Sequence, residues 1–182
     1  MKKISYIAFI LMTIITNKSL ADSILKDNFR DSSEWKFISD NVMGGLSSGS
    51  IEYDTKEETS SAYLSGNVST ENNGGFIQVR RNLKNIDLSK AKYIKIIAKG
   101  NNQKYFLHLR TSGTILPWQY YQISFKVKEK YKEYVLPINQ FKKSGSFQPS
   151  LVNPKSISSV AVVAYGRDHK ASIHIKEISF HK

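Results

Sequence analysis

The 182-residue sequence contains no cysteine, only four prolines and no long apolar run after its first twenty residues. Without cysteine, the protein can have no disulfide, no thiolate metal site and no thiol-based catalysis. The sequence after residue 21 also lacks sustained helical periodicity and any further stretch long enough for a membrane-spanning helix. These absences leave a β-rich domain as the main expectation.

The first 21 residues have the three parts of a secretory signal peptide. Two lysines provide a basic start, residues 4–15 are apolar but short for a membrane span, and residues 19–21 read Ser-Leu-Ala, a small-x-small cleavage pattern. We therefore expect an exported protein, periplasmic or secreted, that is cleaved after Ala21 and forms a single domain over residues 22–182. An uncleaved N-terminal anchor helix is the alternative.

The chain is strongly basic, with a net charge of +12, and removal of residues 1–21 would take away three lysines and leave a charge near +9. The excess consists mainly of lysines that alternate with apolar residues, as at Lys126 and Lys128, which is typical of a solvated sheet face. Because no nucleic-acid-binding motif accompanies the charge, we expect no nucleic-acid partner. An anionic membrane surface or a polyanionic glycan is compatible with it.

Short segments of alternating apolar and polar residues recur throughout residues 22–182, with Gly, Asn, Asp or Pro between them. Nine or ten such segments predict a single all-β domain, an antiparallel β-sandwich with jelly-roll topology as the favoured arrangement. Residues 157–165 are apolar at both parities, which indicates a strand covered on both faces.

Two details of register follow from the same alternation. In residues 121–125 the apolar positions should face the core and the polar positions should not. This pattern predicts that the core includes Tyr121, Ile123 and Phe125. Near the end of the chain the parity of the apolar residues changes between Ile175 and Ile178. This change predicts a β-bulge near residue 176 or 177.

Two loops share a composition of acids, amides and paired glycines. Residues 40–45 read Asp-Asn-Val-Met-Gly-Gly, and residues 71–75 read Glu-Asn-Asn-Gly-Gly. Because Asn and Gly tolerate positive φ, each loop can turn sharply. Two interpretations remain open: a polar network that only locks the loops together, and a binding site at one end of the sandwich.

The two loops and their flanking residues resemble the two sequence signatures of the complex I intermediate-associated protein 30 family. The resemblance covers residues 29–180 and implies a galactose-binding-domain-like β-sandwich. The best-known members are mitochondrial assembly factors for respiratory complex I that act as chaperones rather than enzymes. The resemblance thus implies a non-catalytic module that binds another protein, in assembly of an envelope or respiratory complex, although those members lack the secretory signal of this chain.

The first candidate binding site consists of the residues of the two motifs, namely Asp40, Asn41, Met43, Gly44, Gly45, Glu71, Asn72, Asn73, Gly74, Gly75 and Arg80. We expect the two loops to meet at one end of the sandwich, where the glycines would allow close backbone approach. Because an unpaired buried charge is costly, Arg80 should pair with Asp40 or Glu71.

An alternative site, for a glycan, is predicted from aromatic and basic residues elsewhere in the chain, namely Phe106, His108, Arg110, Trp118 and Tyr120. Aromatic rings offer flat apolar surfaces, and Arg or His supplies directional hydrogen-bond donors. Tyr121 follows directly and extends the aromatic group in sequence. Ordinary packing inside the sandwich is the competing explanation.

Catalytic and metal-binding motifs are absent from the sequence. There is no Gly-x-Ser-x-Gly nucleophile elbow, and the four histidines lack metal-ligand spacing, so we expect no catalytic residue, metal or cofactor. Asp40 and Glu71 could be proposed as the carboxylate pair of a glycoside hydrolase. However, an ion pair with Arg80 would keep them ionised, whereas a general acid must carry a proton.

We expect export to release a chain that begins at Asp22. Intact-mass measurement of the exported protein tests this expectation, because cleavage after Ala21 fixes the mass of the remaining chain. A protein that still begins at Met1 would contradict both the signal-peptide assignment and the expected location.

Overall fold

The alternating segments pair into strands over the whole of residues 22–182, which the structure, a computed structural model, describes. The predicted signal peptide lies outside the described residues. No helix within residues 22–182 is long and apolar enough to cross a membrane. The strands in this range are β1 (Ser23–Asp27), β2 (Trp35–Ser39), β3 (Ser48–Asp54), β4 (Ser61–Val68), β5 (Phe76–Asn82), β6 (Tyr93–Gly100), β7 (Lys104–Thr111), β8 (Tyr121–Lys126), β9 (Lys132–Pro137), β10 (Lys142–Lys143), β11 (Ile157–Tyr165) and β12 (His169–His181).

These strands form two antiparallel sheets that pack face to face. Sheet A has the order β3-β4-β12-β6-β9, with β1 also paired to β12, and sheet B has the order β10-β8-β7-β11-β5-β2. The predicted antiparallel β-sandwich is therefore confirmed. The sequence pattern missed β1, in which the apolar residues Ile24 and Leu25 are adjacent and do not alternate, and the two-residue β10, which is too short to show a period.

The hydrophobic core lies between the sheets and uses one face of each strand. In β8, Tyr121 and Phe125 are buried and Ser124 is exposed, as expected from the alternation. Ile123 is half-buried and packs against the core. Gln122, on the opposite face, is also half-buried, because the outer face of sheet B is itself partly covered.

The longest strand, β12, contains the predicted bulge. Its register with β6 shifts between Ile175 and Glu177. Ile175 and Ile178 are both buried, although an even strand would turn them to opposite faces. The extra residue thus allows both ends of β12 to contribute to the same core.

The two glycine loops occur where the chain passes between the sheets. The first loop joins β2 of sheet B to β3 of sheet A, and the second joins β4 of sheet A to β5 of sheet B. Both passages lie beside sheet B, in which β2 and β5 are adjacent. The pairing of these strands brings together two segments that are about thirty residues apart in sequence.

Replacement of Phe125 by alanine should lower the free energy of unfolding by about 3–5 kcal/mol, because it leaves a cavity in the core. Ser124→Ala, on the exposed neighbouring position, is the control and should change it by less than about 0.5 kcal/mol. Denaturant melts of both variants provide the measurement. A loss below about 1 kcal/mol for Phe125→Ala would mean that the face assignment is wrong.

Candidate binding site

The carboxylate of Asp40 joins the two glycine loops. It lies at the start of a short 3₁₀ turn, Asp40–Met43, and is fully buried. Its Oδ1 accepts a hydrogen bond from the Ser47 N–H at 2.9 Å, and its Oδ2 accepts one from the Ser47 hydroxyl at 2.5 Å. From the second loop, Oδ2 also accepts the N–H groups of Gly75 at 2.5 Å and Phe76 at 3.1 Å. The expected meeting of the two loops is thus present.

The glycines are required because the loops approach this carboxylate closely. A Cβ atom on Gly74 would lie 2.5 Å from Asp40 Oδ2, and one on Gly45 would collide with the same side chain. Gly75 donates its N–H to Asp40 while it has a φ of +126°, in the region that disfavours residues with a side chain. Substitution of these glycines would therefore separate the loops.

Hydrogen bonds keep Asp40 ionised. Burial on its own raises the pKa of this carboxyl, but the bonds from Gly75, Ser47 and Phe76 together hold the pKa below its ordinary value of 3.8. A carboxylate surrounded by donors in this way is a structural anion. It has no proton to give as a general acid at neutral pH.

The expected ion pair of Arg80 with Asp40 or Glu71 is wrong. Among residues 22–182, Arg80 makes no hydrogen bond or ion pair. The donors on Asp40 are N–H groups and a hydroxyl, and Glu71 is exposed on the solvent side of its loop. The neighbouring Arg81 forms ion pairs instead, with Asp27 and, at 3.6 Å, with Glu34. Strand alternation explains the difference, because Arg80 points away from the core and Arg81 does not.

A cavity of about 500 Å³ lies on the outer face of sheet B, beside the joined loops. At one end it is bordered by the loop residues Val42, Met43, Asn73 and Gly74. At the other end the segment 112–120, between β7 and β8, folds over the sheet and contributes Pro117 and Trp118. The outward side chains of β2, β5, β7 and β11 form the floor.

A small residue occupies the central strand of the cavity floor. Ala161 of β11 is paired with Arg80 of β5 on one side and with His108 of β7 on the other. Ser159, the next outward position on β11, lies opposite Arg110. Two guanidinium groups and an imidazole therefore flank the small side chains of Ser159 and Ala161.

Aromatic side chains form one wall of the cavity. The rings of His108 and Tyr120 are stacked with centroids 4.0 Å apart, and Tyr165 contacts both edge-on, at 5.6 Å and 6.2 Å. Trp118 is 62% exposed at the rim. Phe106 does not line the cavity but packs edge-on against Tyr165 at 5.7 Å and supports it. The wall therefore consists of rings on three different strands or loops.

Tyr121 does not belong to this wall. It is 2% exposed, faces the core and donates its hydroxyl to the Pro149 carbonyl at 3.1 Å. Its predecessor Tyr120 lies on the opposite side of the chain, against His108. The aromatic run in the sequence is thus divided between the core and the cavity.

His108 is neutral in this position. Burial lowers its pKa to about 3, and the Gln122 side chain on the neighbouring strand opposes this shift. Neither His108 Nε2 nor Gln122 Oε1 has a hydrogen-bond partner of normal geometry among the described residues. At neutral pH His108 thus contributes an apolar ring face and polar nitrogens, not a charge.

Arg110 organises the segment that closes the far end of the cavity. Its guanidinium donates to the carbonyl oxygens of Thr114 at 2.8 Å, Leu116 at 3.0 Å and Pro117 at 3.0 Å. These bonds fix the backbone immediately before Trp118. Arg110 therefore positions the exposed tryptophan, although its own charge faces the cavity.

The two sites that the sequence suggested as alternatives border the same cavity. Of the motif residues, the lining includes Met43, Asn73, Gly74 and Arg80, and of the aromatic set it includes His108, Arg110, Trp118 and Tyr120. The remaining motif residues of the first loop hold the loops in place, as Asn41 does by donating to the Gly45 carbonyl at 2.6 Å. Glu71 and Asn72 are exposed and lie off the cavity.

Sequence reasoning missed Tyr165, Gln78 and Ile38, which also line the cavity. Each is at an outward position of its strand, and the alternation along β11 places Tyr165 on the same side as Ala161. Because β11 is apolar at both parities, this side of the strand could not be recognised as the outer one from the sequence. No group of three or more potential metal-binding side chains occurs within residues 22–182.

The two antiparallel sheets form a β-sandwich that carries the cavity on its outer face. The sequence profile of the Complex I intermediate-associated protein 30 (CIA30) family matches residues 25–175, and the chain belongs to this family. The resemblance of the two loop motifs is thereby confirmed. No curated protein matches the chain in sequence.

Several solved structures share the fold at low sequence identity. The Family 11 Carbohydrate-Binding Module from Clostridium thermocellum, in complex with a β-1,3-1,4-mixed-linked tetrasaccharide, is 15% identical, with a TM-score of 0.67 over 85% of this chain and 92% of that chain. The Family 11 Carbohydrate-Binding Module of the cellulosomal cellulase Lic26A-Cel5E of Clostridium thermocellum, also 15% identical, has a TM-score of 0.69 over 86% of this chain and 92% of that chain. An exo-β-agarase matches with 12% identity and a TM-score of 0.57 over 88% of this chain and 26% of its own.

Asp40→Asn should lower the free energy of unfolding by at least about 2 kcal/mol, because the amide cannot accept all the donors that surround the carboxylate and leaves some of them unpaired. Glu71→Gln in the second loop removes the same charge from an exposed side chain and should leave stability unchanged. Chemical denaturation of both variants makes the comparison.

The pH dependence gives a second test of the same contact. Because the pKa of Asp40 is lowered on folding, its contribution is complete above the unfolded value near 3.8 and is lost as pH falls through the lower folded value. As the pH falls below about 4, the free energy of unfolding should therefore decrease less for Asp40→Asn than for the wild type. Equal effects of Asp40→Asn and Glu71→Gln on the free energy of unfolding would contradict a structural role for Asp40.

Proposed function

We propose that this protein is a non-catalytic carbohydrate-binding module whose site is the cavity on the outer face of sheet B. The observation that carries the proposal is the wall formed by Tyr120, Tyr165 and the exposed Trp118 beside a cavity of about 500 Å³. Sugar rings have apolar faces that pack on aromatic rings, and their hydroxyl groups need nearby donors and acceptors. Both kinds of group occur here.

The polar groups lie on the floor and at the loop end of the cavity. Gln78 and Asn73 present amides, and Arg80 presents a guanidinium. Gln78 and Arg80 project from β5, a strand held between β11 and β2, so their backbone positions are fixed before a ligand arrives. A site built on strands loses little conformational entropy on binding, which favours affinity.

The structural relatives add support of a general kind. The carbohydrate-binding module from Clostridium thermocellum has this fold and was solved with a bound tetrasaccharide. At 15% identity the likeness concerns the fold alone. Because of this likeness, glycans are the first class of ligand to test.

Hydrolysis of a bound glycan is not part of the proposal. Glycoside hydrolases use two carboxyl groups about 5–9.5 Å apart on either side of the scissile bond. Among the described residues that line the cavity there is no Asp or Glu. The nearby Asp40 is fully engaged by loop donors. The module would therefore hold a glycan without cleaving it.

A second candidate function is binding of another protein, in assembly of an envelope or respiratory complex. The family suggests it, and the loops carry exposed apolar side chains that a protein partner could cover, including Val42 at 75% exposure and Met43 at 56%. Both residues also border the cavity. The two functions would thus compete for overlapping surface. Either would take place outside the cytoplasm if the predicted signal peptide is used.

Trp118→Ala should weaken polysaccharide binding by about fivefold or more, because stacking of a ligand ring on an exposed aromatic side chain contributes on the order of 1–3 kcal/mol. The control is Phe147→Ala, which removes a fully exposed aromatic side chain that does not line the cavity. Affinity gel electrophoresis against a panel of soluble neutral and acidic polysaccharides measures both variants.

The proposal fails if no polysaccharide retards the wild-type protein. In that case, capture of one defined protein from the native envelope fraction, lost in Trp118→Ala and Met43→Ala but retained in Phe147→Ala, would favour the second candidate. Equal polysaccharide retardation of the wild type and Trp118→Ala would also contradict the assigned cavity.

A further inference from the structure

The arginine in the cavity floor suggests the charge of the ligand. Resting on the proposed carbohydrate function, we infer that the cavity recognises an acidic glycan and that Arg80 binds the carboxylate or sulfate group of the sugar. The inference is carried by the unpaired state of Arg80, by the absence of acidic residues from the described lining and by the position of the aromatic wall.

Arg80 differs from the other half-buried arginines of the described residues, Arg81, Arg110 and Arg167, which all have hydrogen-bond or ion-pair partners. It is half-buried, yet it makes no hydrogen bond or ion pair with any residue in 22–182. Other partly buried cations in this range do have partners: Arg81 pairs with Asp27, and Lys95 pairs with Glu177 at 3.2 Å. A guanidinium in a partly desolvated site without a counterion is unfavourable, and such groups occur where an anion binds.

Neighbouring charge makes the position still less favourable when the cavity contains no anion. Arg110 lies on the same face, and Lys36 is directly opposite Arg80 on β2. Burial lowers the pKa of Arg80, and the charge of Arg110 lowers it further. Since none of the described lining residues is acidic, an anionic ligand would meet attraction from all three cations and no repulsion from the lining.

The two arginines have different roles. Arg110 donates to three carbonyl oxygens of the segment 112–118 and so has few donors left for a ligand. Arg80 keeps its whole planar fork available, and this fork matches the two oxygens of a carboxylate or of a sulfate ester. Arg80 therefore contacts the anion, whereas Arg110 contributes charge and holds the rim.

The surrounding groups explain why the ligand would be a sugar acid rather than a free inorganic anion. Ala161 and Ser159 leave space above the strand next to Arg80, and the rings of Tyr120 and Tyr165 form the adjacent wall. A uronic acid or a sulfated sugar combines a charged group with an apolar ring face. Arg80 and the aromatic wall could engage these two features at the same time.

The test compares two substitutions that remove one positive charge each. Arg80→Gln changes the cavity, and Lys132→Gln changes an exposed residue of β9 in sheet A. The probes are polygalacturonate for carboxylates, dextran sulfate for sulfate esters and a neutral β-1,3-1,4-glucan. Affinities are measured by isothermal titration calorimetry near physiological ionic strength, about 0.15 M, where the screening length is about 8 Å and distant surface charges contribute little.

The wild type should bind at least one acidic polysaccharide more tightly than the neutral glucan. Arg80→Gln should weaken that binding by about tenfold or more, and Lys132→Gln by less than about twofold. The acidic probe that binds shows whether the anionic group of the ligand is a carboxylate or a sulfate ester. Saturating acidic polysaccharide should also raise the thermal midpoint of the wild type more than that of Arg80→Gln.

Different failures point to different conclusions. Equal weakening by Arg80→Gln and Lys132→Gln would mean that net charge alone attracts the polyanion, and it would overturn the inference. Tight binding of the neutral glucan that Arg80→Gln leaves intact would overturn it too, while the proposed carbohydrate function would stand. Binding of none of the probes or of any other polysaccharide would defeat both.

Folding of the variant supplies an independent check. Because Arg80 has no partner in the described range, Arg80→Gln should have a thermal midpoint equal to or above that of the wild type without ligand. A clearly lower midpoint would show that Arg80 stabilises the fold itself. That result would remove the premise of an unpaired guanidinium.

Discussion

The buried carboxylate of Asp40 is the contact on which the organisation of this end of the molecule depends. An ionised group placed away from water is costly unless donors surround it, and here four donors from two chain segments do so. Both segments are crossings between the sheets, one leading from β2 to β3 and the other from β4 to β5. The charge therefore fastens two crossings to each other, and the loops that border the cavity take their shape from this contact.

The cavity itself follows from the way sheet B is covered. Its inner face packs on sheet A, and its outer face is sheltered at one end by the joined loops and at the other by the segment 112–120. The register of β11 separates these ends, since Tyr165 is paired with Phe76 and Ile157 with Thr111. At the first end Asp40 accepts hydrogen bonds from N–H groups, and at the other end Arg110 donates hydrogen bonds to carbonyl groups. Opposite charges thus perform the same task at the two ends.

The sequence predicted the fold and the meeting of the loops better than it predicted the site. Strand alternation identified the core positions Tyr121 and Phe125 and the bulge in β12, because burial and period depend on near neighbours. The expected ion pair of Arg80 was wrong because it rested on charge alone, whereas the alternation along β5 places Ile77 and Val79 towards the core and Arg80 on the outer face. Tyr165 was missed because β11 is apolar at both parities, so that its outer face could not be distinguished from its inner face without knowledge of what covers each.

The alanine at position 161 controls the space at the centre of the cavity. It is 2% exposed and lies in register between Arg80 on β5 and His108 on β7, so a larger side chain at this position would have to displace these neighbours or fill the space between them. Neither the hydrogen bonds to Asp40 nor those from Arg110 involve the side chain of Ala161. The volume of the cavity at this point therefore depends on the size of one methyl group. A residue without any polar group thus limits what the cavity can contain.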